Sequence, residues 1–194
     1  NNPLLTASTL AYGAPQFDKI ENQHYIPAFK QAIEEAKSEV DAIINNTDDP
    51  TFENTIEALE YAGSTLNKVS HIFYNLLEAN TNEEMQNIAE QITPLTTEFS
   101  MYVSLNESLF QRIKKIYDQK NLLNLNAEET RLLEKTYDGF ARNGANLSPE
   151  KKEIYSKYIE ELSLLSLQFS KNVLAATNAF SLNITDESDL TGLP

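Results

Sequence analysis

The 194-residue sequence contains no cysteine. That removes any disulfide framework and any thiolate ligand or nucleophile, and it is compatible with any cellular compartment. Its five glycines are scattered and none precedes a Lys-Ser or Lys-Thr pair, so no phosphate-cradling loop can form. Only two histidines are present. His24 is followed by Tyr-Ile-Pro and His71 by Ile-Phe-Tyr, so neither opens the His-Glu-x-x-His pattern that puts two zinc ligands on one helix face. A di-carboxylate metal bundle needs two Glu-x-x-His motifs and the sequence has no such pair, Glu21-Asn22-Gln23-His24 standing alone; nor is there a Gly-x-Ser-x-Gly nucleophile elbow. The sequence therefore offers no catalytic residue and no metal ligand set of its own.

Positive charge is also scarce. Fifteen basic residues stand against 29 acidic ones, a net charge of −14. A nucleic-acid footprint needs a basic stripe, so the balance argues against nucleic acid; it argues equally against an anionic membrane surface. Small basic clusters at Arg112, Lys114 and Lys115 and at Lys151 and Lys152 read as solvated helix faces. The uncharged run from Leu162 to Ser170 is too short and too polar to cross a bilayer. Acidic pairs such as Glu34-Glu35, Glu83-Glu84 and Glu128-Glu129 read as helix faces and first turns, not as acid/base pairs.

Apolar residues make up 41% of the chain, enough for a real core. Their spacing predicts an all-α fold, an antiparallel bundle of about six helices with an extended N-terminal arm and a short C-terminal strand. The whole of 1–194 reads as a single helical domain. Pro3, Gly13 and Pro15 mark residues 1–16 as the arm. A first helix begins between Asn22 and Pro27 and ends at Asn45-Asn46. Asp49 caps a second, with Pro50 at its first position, and Gly63 sits within it. Thr81 and Glu84 form a capping box for a third, which should kink at Pro94. Asn106 caps a fourth, and Asn126 with Glu129 a fifth. Ser148-Pro149 opens a sixth, running to about Thr177. Residues Phe180 to Thr185 alternate apolar and polar, the period of a strand. On the sixth helix a main apolar stripe of Ile154, Tyr158, Leu162, Leu165, Phe169 and Val173 is expected to face the bundle core. Leu164, Leu167 and Leu174 lie on roughly the opposite face. A helix apolar on two sides should be the central element.

The stretch GFARNGANLSPE, Gly139 to Glu150, joins the last two helices. Gly144 suits the left-handed residue that ends one helix, and Ser148-Pro149 the start of the next. Arg142 sits in a last turn, where a cation favours the negative helix end; it could instead face a partner.

Several segments, taken in order, resemble the N-terminal region of the thimet-oligopeptidase family of zinc metallopeptidases, in particular its bacterial peptidyl-dipeptidase branch. They are NPLL from Asn2, FDKIENQHYIPAFKQAI from Phe17, PTFENTIEALE from Pro50, NLLEANTNEEMQ from Asn75, GFARNGANLS from Gly139 and LSLQFSKNVLAATNAFSL from Leu164. The resemblance implies a longer enzyme. Its zinc, its His-Glu-x-x-His helix and its reactive groups would lie in a C-terminal catalytic part, so that no cofactor binds this chain. The N-terminal helices would wall a channel that admits short peptides, from which the full enzyme releases C-terminal dipeptides. The implied partners are the catalytic part itself and short peptides, with no nucleic acid and no membrane. Arg142, Asn143, Leu164, Leu167 and Leu174 are the residues expected at the channel or between domains. The compartment, cytoplasmic or periplasmic, stays open. A free-standing helical interaction module without peptidase activity is the alternative.

Overall fold

The computed structural model describes residues 2–192, and among them every regular element is helical. Seven α-helices follow in order: α1 Tyr25–Ile44, α2 Ala58–Tyr61, α3 Ser64–Ala79, α4 Glu83–Ser104, α5 Glu107–Asp118, α6 Ala127–Arg142 and α7 Pro149–Ala179. Short 3-10 turns carry the N-terminal segment, which is folded back on the body, with Leu4 buried in the core. The Asn2 side-chain amide donates to the His24 carbonyl at 2.7 Å and pins this segment to the start of α1.

Helix α1 is the shaft of the fold. Tyr25, Ala28, Phe29, Ala32, Ile33, Ala36, Val40 and Ile43 are all buried on it. The first six join a core with α3 and α4, where Phe73 stands edge-on to Tyr25, Phe29 and Tyr74. Val40 and Ile43 join a second core with α5, α6 and Phe52 and Ile56. Each core is filled by apolar positions at helical spacing, so burial and periodicity agree along α1, α3, α4 and α5.

The start of the second helix differs from expectation. Thr51, not Asp49, is the cap: its hydroxyl accepts from the Asn54 N–H at 3.1 Å while the Asn54 side chain accepts from the Thr51 N–H at 2.9 Å. Pro50 therefore lies before the cap, and the chain enters a π-helical turn, Phe52–Glu57. The expected single helix also breaks at Gly63, which takes φ 78°. A carboxylate on α1 sets this break: Glu39 accepts from the Gly63 N–H at 2.6 Å, a bond a continuous helix would have used internally. One residue further than expected, Asn82 caps α4 by accepting from the Met85 N–H. Glu84 accepts from the Asn22 side chain at 2.7 Å instead of closing a box with Thr81. Helix α4 runs without a break through Pro94. Asn106 and Asn126 cap α5 and α6 as expected, the latter in a full box with Glu129.

Two expectations for the C-terminal end fail. Phe180 to Thr185 forms no strand, for no other strand exists among the described residues to pair with it; the chain is irregular there and then makes a 3-10 turn at Glu187–Leu190. Helix α7 is not central. It packs along α4, at the side of the bundle, and none of its residues is fully buried.

Candidate functional site: the Gly139–Glu150 joint and the long helix

The joint is built from α6 outward. Phe140 is buried in the second core, and the Ala145 N–H donates to its carbonyl at 3.0 Å, closing the helix end in a Schellman-type wrap. Between them Gly144 takes φ 91° and is itself buried. A Cβ there would lie 3.1 Å from both Leu105 and Leu147 side chains and 3.4 Å from Tyr155. Gly144→Ala is therefore expected to cost about 1–2 kcal/mol, through left-handed backbone strain and crowding together. A shift of the urea midpoint shows it, and an unchanged midpoint would mean that the joint relaxes freely.

Lys152, one turn into α7, fastens the far side. Its ammonium donates to the Leu105 carbonyl and to Glu107 Oε2, both at 3.1 Å. Hydrogen bonds from Gln111 and then Lys152 hold the Glu107 carboxyl below its ordinary range. The joint is thus a packed hinge-pin between α5, α6 and α7. Arg142 and Asn143 stand on its outer rim, both exposed. The Asn143 side chain donates back to the Gly139 carbonyl at 2.9 Å, and it borders a groove of about 450 Å³ floored by Ile56, Phe99, Val103 and Phe140. The structure does not bring Arg142 and Asn143 together with the leucines of α7.

Those leucines lie on the inward side of α7. Leu167 packs against the first core and Leu174 is half-buried; Leu164, at the edge, is 46% exposed. Leu167 and Leu174 line a groove of about 400 Å³ with Tyr74 and Leu77, closed at one side by the Lys171–Glu90 ion pair. The stripe expected to face the core faces water instead. Ile154, Tyr158, Leu162, Leu165, Phe169 and Val173 are 49–70% exposed. Sequence periodicity finds both stripes of α7 but not which one is covered. On the covered side Lys152 and Lys171, which anchor the helix, share one helical period with Ile159, Ser163 and Leu167.

Among the described residues no group of three or more histidine, aspartate or glutamate side chains is placed to hold a metal ion. The His24 Nδ1 accepts from the Glu21 N–H at 3.0 Å, within a helix-start box. His71 sits one helix away, on α3. This donor set does not fit zinc, and no catalytic step can be routed through it. No described helix is long and apolar enough to cross a membrane.

The family described as Neurolysin/Thimet oligopeptidase, N-terminal domain, matches residues 29–152, from α1 into the start of α7. Dipeptidyl carboxypeptidases of Salmonella typhimurium and Escherichia coli are each 36% identical over 192 residues, 99% of this chain and 28% of their own length. Oligopeptidase A of Escherichia coli is 29% identical over 193 residues, again 28% of its length. The chain thus spans little more than a quarter of the curated relatives it matches. With the match covering the second core, most of the first and the Gly139–Glu150 joint, the chain belongs to the neurolysin/thimet oligopeptidase family, whose N-terminal domain it carries.

Proposed function

We propose that this chain is the non-catalytic N-terminal part of a zinc peptidyl-dipeptidase and walls a channel that limits access to short peptides. The observation that carries the reading is the 36% identity to two dipeptidyl carboxypeptidases along almost the whole chain, against 29% to an oligopeptidase A. The described residues supply shape and no ligand set, so zinc and the groups that use it belong to the rest of the protein. What these helices contribute is a rigid, water-excluding surface held by two cores, with grooves on its sides. Substrate positioning by such a wall acts by restricting orientation and access, which needs rigidity and no reactive group.

The test is made on the full-length protein. Loaded with zinc, it is expected to release C-terminal dipeptides in sequence from a short, N-terminally blocked peptide. It should spare the same terminal sequence displayed on a folded domain. Internal cuts without dipeptide release would move the protein to the oligopeptidase A type. Removal of the tail from the folded domain at the rate of the free peptide would defeat the access role.

A further inference from the structure

We infer that the outer face of α7, continued by the apolar residues just beyond it, is the seat on which the catalytic portion of the longer chain docks. This rests on the reading above and names the partner of that surface. Ile154, Tyr158, Leu162, Leu165, Phe169 and Val173 recur at intervals of three and four, so they form one seam along α7. The seam is about 30 Å long at 1.5 Å per residue. Beyond it Phe180 and Leu182 are also exposed, at 76% and 73%.

Charge is distributed in the same sense. In a chain of net charge −14, residues 162–185 hold a single charged side chain, Lys171, and that one is turned inward to Glu90. A helix face meant for water carries charges at close spacing, both for solubility and to repel stray partners. From Leu162 onward this face carries no charge, so that part of it is shaped for a dry, uncharged protein surface.

Three occupants compete, and magnitudes separate them. An anionic lipid surface is opposed by the overall negative charge. A second copy would bring one helix seam against another. A strip of about 30 by 10 Å gives roughly 300 Å² per side, well short of the roughly 800 Å² per partner of a stable complex. A covalently attached partner faces no such threshold, because a tether raises its effective concentration to about the millimolar range. The relatives are more than three times as long as this chain, so a tethered partner of ample size exists in them. Phe180, Leu182 and Ile184, just beyond the seam, are exposed apolar residues that the same partner would cover.

The experiment uses the full-length protein. Cysteine is placed singly at Phe169, in the seam, and at Lys157, on the polar flank, where the side chain is 70% exposed. Maleimide modification at each position is located by peptide mass mapping; residues 1–194 contain no other cysteine. Docking predicts that F169C reacts about a hundredfold more slowly than K157C, as for a group reached only through local opening. Equal rates would overturn the inference. Protection that vanishes on dilution would overturn it too, assigning the face to contact between copies. Phe169→Asp supplies a second reading: the full-length protein should become a substrate for limited proteolysis after residue 179, and resistance equal to wild type counts against docking. Zinc-dependent dipeptide release is followed in the same wild-type preparations. Activity with an open F169C sinks the docking alone, whereas a shielded F169C without dipeptide release sinks the enzymatic reading alone.

Discussion

Arg112→Met is expected to lower folding stability by about 3–4 kcal/mol, because it strips a charged donor from four acceptors at once, among them the hydroxyl of the buried Thr55. The Arg112 guanidinium reaches out of α5 into the loop between α1 and the π-helical turn. It donates to the Asn46 carbonyl at 2.7 Å, the Asp48 carbonyl at 3.2 Å, the Asn54 side chain at 3.1 Å and the Thr55 hydroxyl at 3.3 Å. The side chain is 9% exposed and the Thr55 residue wholly buried. Methionine keeps much of the stem's apolar volume, so the loss isolates the hydrogen bonds. Neighbouring Lys115 pairs with Asp49 in the open, and Lys115→Met should change stability by less than about 0.5 kcal/mol. Urea denaturation of both variants decides the matter. Equal midpoints for the two would show that the loop satisfies itself without the guanidinium.

Phe73→Ala is expected to cost about 3–5 kcal/mol. The ring is completely buried on α3 and touches three aromatic neighbours edge-on, with centroids 4.8 Å from Tyr25, 5.2 Å from Tyr74 and 5.7 Å from Phe29. Edge-on pairs of this kind add about 0.5–1.5 kcal/mol beyond the area they bury. The surrounding helices cannot collapse into the gap without moving α1, which also serves the second core. Against a total stability of about 5–15 kcal/mol for an ordinary domain, either of these substitutions removes a large share. A melting temperature within a degree or two of wild type would mean that the first core is loosely packed.

What could be read from the sequence was local. The starts of α5 and α6 are legible because Asn106 and Asn126 stand directly before apolar residues at helical spacing, and Gly144 is legible because α6 must end on a left-handed residue. Where two adjacent residues can both cap, as Thr81 and Asn82 can, the choice falls to the neighbours: Asn22 draws Glu84 away from Thr81. The break at Gly63 is set by Glu39, 24 positions away on another helix, and so leaves no trace in the local pattern. The alternation in Phe180 to Thr185 describes a strand that has no neighbouring strand. The larger error concerns α7. The richer of its two stripes looked like the one for the core, but α4 offers a site only for the poorer face with its two lysines. Leu167 and Leu174 therefore floor a groove while Phe169 and Leu165 stand at the surface, where the inference above seats the rest of the longer chain.

That arrangement has a consequence for the order of events during synthesis. Helix α7 places no residue among the fully buried ones, so α1 to α6 can complete both cores while the ribosome is still making the remainder of the protein. In the longer chain proposed here, translation at about 5–20 residues per second leaves on the order of a minute between the emergence of α7 and the last residue. Through that interval a seam of leucine, isoleucine, tyrosine and phenylalanine waits uncovered on an otherwise finished body. The nascent protein is then exposed to chaperone capture and to aggregation at a single helix.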